Sequence, residues 1–240
     1  MTQENKPLRL HLGCGTTYLE GYVNIDYPQS EHTIVTIKAD RYEDLKTLAY
    51  PEGTVDEVRN HHVFEHFERA LALTLLARWR RWLKVGGVVT IETPDFEGCV
   101  QDFLAAKTLD HKGEILRHIF GSEEANWAIH YDGWFEEKFR FVFQELGFDV
   151  VRVERMRSNV SKQLGLGLHG VIDTLARAVP AGFQNKVGIN TLPNIAVTAR
   201  KTSAQIDEVA AIREILSIYL VGKEHGHSEI LDVWMRQIKI

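Results

Sequence analysis

The chain has 240 residues, of which 44% are hydrophobic, enough for one large α/β domain with a full core that needs neither disulfides nor metals to hold it. Its formal charge of −5 argues against a general nucleic-acid binder, which would carry a basic stripe. Cys14 and Cys99 lie far apart and form no Cys-x-x-Cys pair, so a reducing compartment and no disulfide framework are expected. Met1 to Pro7 is polar with no apolar stretch behind it, and no run of about eighteen apolar residues follows anywhere; we expect no secretory signal, no membrane span and a cytoplasmic location.

Leu8 to Leu12 alternates apolar with basic residues and runs straight into Gly13-Cys14-Gly15, which predicts a first strand ending in a tight loop. Tyr22 to Asp26 is a second strand closing on Asp26, and Thr33 to Ala39, with Ile34, Val35 and Ile37, a third closing on Asp40. Val55 to Arg59 is a fourth, entered through Pro51-Glu52-Gly53 and followed by Asn60-His61. Phe67 to Leu83 is helical: Leu71, Leu75, Trp79 and Leu83 recur every four residues, the basic Arg78, Arg80, Arg81 and Lys84 lie off that stripe, and Gly86-Gly87 is the stop. Val88 to Thr93 is a fifth strand ended by Pro94. This alternation of strands and crossovers predicts a parallel sheet.

Beyond Pro94 the pattern is helical and irregular to about Gly133, and Phe135 to Leu146 is a helix ended by Gly147. Phe148 to Met156 and Ile195 to Lys201 are late strands suited to an antiparallel hairpin at the sheet edge, separated by an insert from Arg157 to Asn194 that holds an amphipathic helix over Val171 to Val179 and offers a lid, a dimer contact or a peripheral membrane contact. In the tail, Ile206, Val209, Ile212, Ile215, Leu216 and Tyr219 fall at helical spacing, a stripe that suits packing on the body or a homodimer seam.

Open parallel sheets bind ligands beyond the carboxyl ends of their strands. Glycines at 13 and 15 let backbone approach a ligand closely; Asp26 stands where a carboxylate accepts from both hydroxyls of a ribose, and Asp40 where one accepts from an adenine amino group. Each alone also suits a turn or a helix cap; the ordered set carries more weight.

The stretches Leu10-His11-Leu12-Gly13-Cys14-Gly15-Thr16, Tyr22-Val23-Asn24-Ile25-Asp26, Asp40 with Leu45, Pro51 to Val58, His62 to Phe67, and Leu83-Lys84-Val85-Gly86-Gly87 leading into Val88 to Pro94 resemble the class I S-adenosylmethionine (SAM)-dependent methyltransferases, in particular the small bacterial group related to the type-11 domain. The resemblance covers roughly residues 8 to 156. It implies a Rossmann-like α/β fold with a seven-stranded sheet, helical inserts after strands five and six, and a helical tail. In domain terms this is a methyltransferase domain over 1–202, with inserts 96–134 and 157–193 as a lid, and a helical extension over 203–240. It further implies that Gly13, Cys14 and Gly15 pass under the methionine part of SAM, that Asp26 holds the ribose, that Asp40 faces adenine, and that Asn60 and His61 line the sulfonium side. Two departures stand out. The family's third glycine would fall at Thr17, and Gly15 to Asp26 is too short for a full crossover helix, which needs roughly a dozen residues. Both also count against a dinucleotide, since no helix N-terminus is on hand for a pyrophosphate.

His62-Val63-Phe64-Glu65-His66 matches H-x-x-E-H, a zinc-protease pattern when it lies on a helix. It follows a strand directly and no long helix precedes it, so Glu65 and His66 are expected to cap and brace the next helix, and no metal is expected. Methyl transfer from a sulfonium is an in-line displacement in which the protein mainly aligns the reactants, and a hydroxyl acceptor gains from a base. His130 is the leading base, because related methyltransferases often carry a histidine just before the helix preceding strand six; Asp95 at the pocket rim is second and His61 third. Trp127, Tyr131 and Trp134 suit an aromatic wall or lid core, and His111, Lys112, Arg117 and His118 a solvated helix face or a phosphate contact. The resemblance implies a SAM-dependent enzyme acting on a hydroxyl of a sugar or glycan in surface-polysaccharide synthesis. Methylation of another small molecule, a natural product or amine, and a non-catalytic SAM-fold scaffold remain the alternatives.

Overall fold

The computed structural model describes residues 6–31, 36–159, 191–225 and 228–240. Seven strands form one sheet: β1 (Arg9–Leu12), β2 (Val23–Asp26), β3 (Arg41–Tyr42), β4 (Val55–His61), β5 (Leu83–Pro94), β6 (Phe148–Asn159) and β7 (Thr191–Lys201), in the order β3-β2-β1-β4-β5-β7-β6. The first five run parallel, while β7 is antiparallel to both β5 and β6. The expected seven-stranded α/β sheet with a late antiparallel hairpin is therefore present, although β7 lies inside the sheet and β6 takes the edge.

Among the described residues six α-helices surround the sheet: α1 (Arg69–Trp82), α2 (Phe96–Ala105), α3 (Leu109–Phe120), α4 (Glu136–Glu145), α5 (Glu208–Ser217) and α6 (Glu229–Met235). No helix of the described residues is long and apolar enough to cross a membrane. The core joins Leu10, Leu12, Ile25, Val58, Val89, Ile91 and Val197 of the sheet to Leu73, Leu76 and Trp79 of α1, Phe139 and Phe143 of α4, and Ile212 and Leu216 of α5. The apolar stripe of the tail thus packs on the chain's own body. Arg81 of α1 clamps Glu208 at the start of α5 at 2.7 Å, a cation at one helix end meeting an anion at another, as the helix dipoles favour.

Four expectations shift. Residues 36–40 are not in the sheet, and the third strand is only Arg41–Tyr42; the part of the expected strand at 33–35, like the expected helix at 171–179, lies outside the described residues. Asp40 replaces ladder bonds here: its carboxylate accepts from Asn24 N–H at 2.7 Å and its own N–H donates to Asn24 carbonyl at 2.8 Å. Second, α1 ends at Trp82 and Leu83 passes straight into β5, so Gly86-Gly87 ends no helix. Gly86, at φ +83, lies in a bulge that shifts the β4–β5 register between Val55/Leu83 and Glu57/Val88. Third, β6 and β7 run further than expected, because Arg157 holds Asp102 of α2 at 2.8 Å and Pro193 fits the ladder opposite it. Fourth, Phe64–His66 is one 3₁₀ turn and His62 has φ +50, so His62 and His66 do not share a helical face, and the cap of α1 falls on Glu68.

Candidate functional site

The sheet order places a topological switch point at β1: the chain winds outward to β2 and β3, then crosses to β4 on the other side. At the carboxyl end of β1 the loop turns through Gly13 (φ +69) and Gly15 (φ +51). A Cβ on Gly13 would collide with the Val63 side chain, whereas one on Gly15 would meet nothing within 4 Å. Gly13 is thus demanded by packing, and Gly15 opens onto free space. The loop is tied to β2: Gly13 and Cys14 N–H both donate to Ile25 carbonyl, and Gly15 N–H donates to the Asp26 carboxylate at 2.6 Å. Asp26 also accepts from Tyr27 N–H at 2.7 Å. Residues 13–22 form turns without a helix, matching the short link expected from the spacing.

On the other side of β1, Asn60 is fully buried and its amide donates to Leu12 carbonyl at 3.1 Å, joining the ends of β1 and β4. So Gly13, Cys14, Gly15, Asp26 and Asn60 gather at one place. The Cys14 thiol is buried, and burial with the nearby Asp26 charge pushes it up to about 12; it is no nucleophile at neutral pH. Asp40 is exposed on the outer edge of β2, with Tyr18 hydroxyl donating to it at 2.8 Å; its pKa is lowered chiefly by the Asn24 N–H bond. The acids at the carboxyl end of β3 are Glu43 and Asp44. His61 projects on the opposite face from Asn60, accepts from Arg59 at 2.7 Å, and is kept neutral by burial.

A second cluster lies at the carboxyl ends of β4 and β5. His62 bonds Glu65 through Nδ1 at 3.1 Å and approaches Glu92 to 3.6 Å. Burial opposes its charge, but the two carboxylates overrule burial and raise it to about 10. Burial likewise opposes ionisation of Glu65, yet the His62 bond and charge hold it down at about 2. Facing Glu65 are His66 and His130, whose ring centroids are 4.6 Å apart. Burial lowers His130 to about 4, so its ring is neutral at pH 7. A small cavity of about 10 Å³ is lined by Glu65, His130, Pro94, Phe96 and Trp134.

The residue carrying this cluster best hidden from sequence is His118 of α3. Its carbonyl accepts from His130 Nδ1, and its own ring meets Pro193 carbonyl at 3.1 Å and Asn194 at 2.8 Å, so it latches α3 to β7 and does not lie on a solvated face. Asp132 is a hub: Lys138 reaches it at 2.8 Å, Tyr219 hydroxyl donates to it at 2.7 Å, and Arg69 lies 3.4 Å away, which fastens the His130 loop to α1, α4 and the tail. Asp95 shares no hydrogen bond with His130. It starts α2, is buried, has its pKa raised by that burial, and faces Arg155 at 3.6 Å. Trp134 belongs to the main core, stacked 4.8 Å from Phe139, while Trp127 donates to Glu31 carbonyl and Tyr131 is exposed.

No known family model matches the sequence, and no curated protein does. Among solved structures the chain is similar to the YcgJ protein of Bacillus subtilis (12% identity over 83% of this chain and 94% of that one, TM-score 0.49). It is similar also to a putative methyltransferase of Bacillus halodurans (12%, 81% and 92%, 0.48) and to a SAM-dependent methyltransferase of Mesorhizobium loti (15%, 82% and 91%, 0.47).

Proposed function

We propose that the chain is a SAM-dependent methyltransferase with its cofactor in the crevice outside β1 and β4. The observation that carries this reading is the convergence of the left-handed Gly13–Gly15 loop, the Asp26 carboxylate bonded to Gly15 N–H, and buried Asn60 at the switch point of a largely parallel sheet. In this reading Gly13, Cys14 and Gly15 pass under the methionine part, and Asp26 receives the ribose hydroxyls. Asp40 is the acid of the adenine side, and Asn60 borders the sulfonium, with His61 on the opposite face. The lack of a helix after the glycine loop among the described residues removes the usual partner of a pyrophosphate, which favours a sulfonium cofactor over a dinucleotide.

The acceptor in this reading is a hydroxyl of a sugar or glycan precursor. Its oxygen attacks the methyl carbon in line, the carbon–sulfur bond breaks, and S-adenosylhomocysteine leaves. His130 receives the hydroxyl proton on Nε2, since Nδ1 already donates to His118 carbonyl. The segment 96–134, with Asp95 at its root, serves as the lid, and the buried free thiols Cys14 and Cys99 suit a cytoplasmic setting.

Calorimetric titration with SAM and with S-adenosylhomocysteine tests this on wild type and Asp26→Asn, which keeps one acceptor oxygen for the loop. We expect micromolar binding that raises the melting temperature in wild type, and at least ~10-fold weaker binding in the variant. A wild type that binds neither ligand would sink the enzyme reading and favour a scaffold.

A further inference from the structure

One oxygen of Glu65 and one nitrogen of each of His66 and His130 lie within 4.8 Å of one another. The remaining polar atoms of the three side chains decide what this cluster is. His66 Nδ1 lies 3.2 Å from Ile129 carbonyl, and His130 Nδ1 lies 3.1 Å from His118 carbonyl. A carbonyl can only accept, so Nδ1 of each ring holds a proton, and in the neutral form of each ring Nε2 is a bare lone pair. Glu65 is 1% exposed; its Oε1 accepts from His62, while Oε2 is buried with no partner among the described residues. With both rings in that form, three acceptors meet with no donor among them. A water has two protons to offer three lone pairs, whereas a cation satisfies all three.

We propose that Glu65, His66 and His130 hold a divalent transition-metal cation of the zinc class through one carboxylate oxygen and two Nε2 atoms, with a further position open to the cavity beside Phe96 and Trp134. Two imidazoles and one carboxylate with an open position is a donor set that such ions take. Both rings are already fixed by backbone carbonyls and the carboxylate by His62, the outer partners that orient ligands in metal sites. The cavity is small, which suits an ion at its floor. With bonds of ~2.1 Å, tetrahedral ligands stand ~3.4 Å apart, so no pair of ligand atoms need close by more than ~1.4 Å on binding.

The site deepens the proposed methyl transfer and changes one role within it. A hydroxyl in the open position is acidified by the cation and releases its proton to water, and His130 acts as ligand in place of base. The test needs no SAM. Full-length protein stripped with a chelator is titrated with Co²⁺ alone, followed by visible absorption and calorimetry. We expect one saturable site per chain. His66→Gln and His130→Gln should each weaken it by more than ~100-fold, beyond the ~10–100-fold that His62→Gln, an outer partner, should cost; His111→Ala should change nothing. Melting of the metal-free proteins checks that each variant folds. Should the histidine variants fail that check, Glu65→Gln, which keeps an acceptor for His62, takes their place. Co²⁺ binding no tighter in wild type than in a folded His66→Gln/His130→Gln double variant, or than in folded Glu65→Gln, overturns the proposal. A chain that binds SAM but not Co²⁺ loses only the metal; one that binds Co²⁺ but not SAM loses the methyl transfer and keeps the metal.

Discussion

The two faces of this sheet are built on opposite principles. On one, Leu10, Leu12, Ile25, Val58, Ile91 and Val197 are wholly buried against α1, α4 and α5. On the other, the same strands present Arg9, His11, Asn24, Glu57, Arg59, His61, Thr90, Glu92 and Thr198, in register across neighbouring strands, and Tyr22 joins them from the turn before β2. These side chains bond one another: Tyr22 to Glu57 at 2.6 Å, His11 to Asn24 at 3.0 Å, Arg59 to His61 at 2.7 Å and Thr90 to Thr198 at 3.0 Å. Parallel sheets are normally apolar on both faces because crossover helices cover both. Here the link from β1 to β2 has no helix, and the strands it joins alternate accordingly. Folding free energy is concentrated on the apolar face; the polar face fixes geometry at small net gain, because each of its hydrogen bonds replaces one with water.

The sharpest way to break this contrast is to cut the apolar side. Phe143, wholly buried between Phe139 and Phe148, should cost about 3–5 kcal/mol as Phe143→Ala in denaturant unfolding. Against a typical total of about 5–15 kcal/mol, that is a large share. A loss under about 1 kcal/mol would mean that α4 is not the cover the contacts describe.

The glycine loop at the end of β1 offers an intermediate effect. Gly13→Ala meets both a left-handed backbone and the Val63 side chain, while Gly15→Ala meets the backbone penalty alone. We expect about 1–2 kcal/mol for Gly15→Ala and clearly more for Gly13→Ala in thermal unfolding. Equal losses would show that Val63 gives way freely.

Much of this was legible in the chain. The alternation of Leu8 to Leu12 with basic residues encodes a strand with one polar face, and the short span from Gly15 to Asp26 encodes the missing helix. What escaped was long-range. Nothing local reveals that Asp40 supplies β2 with a side-chain substitute for a strand, so Thr33 to Ala39 reads as a strand by its own alternation. The double glycine at 86–87 reads as a helix stop because a bulge and a stop use the same residues. His62 to His66 looks like a helical metal motif, yet its 3₁₀ turn sends His66 toward His130, which only the folded chain brings near.

Acid should distinguish the faces next. His11 is wholly buried and its pKa is lowered, chiefly by burial. A neutral histidine in the fold and a titrating one in the unfolded chain mean that the unfolded state binds more protons below about pH 6.5. Its stabilising contribution is therefore complete above that pH and is lost as pH falls through the folded value. His11→Leu should flatten the fall in melting temperature between pH 6.5 and 4 relative to wild type; an unchanged slope would mean that the ring is protonated in the fold.

The smallest net effect belongs to removing both hydroxyls of a threonine pair on the polar face. Thr90 and Thr198 face each other across β5 and β7 at 3.0 Å. Replacing one by valine leaves the other hydroxyl short of its partner and should cost about 1–3 kcal/mol. Replacing both keeps the β-branched shape, leaves no orphan, and should return stability to within about 0.5 kcal/mol of wild type. Chemical unfolding of the two single variants and the double variant closes the cycle. A double variant as weak as the sum of the singles would mean that the hydroxyls bond other groups, and that this face is held by more than its own neighbours.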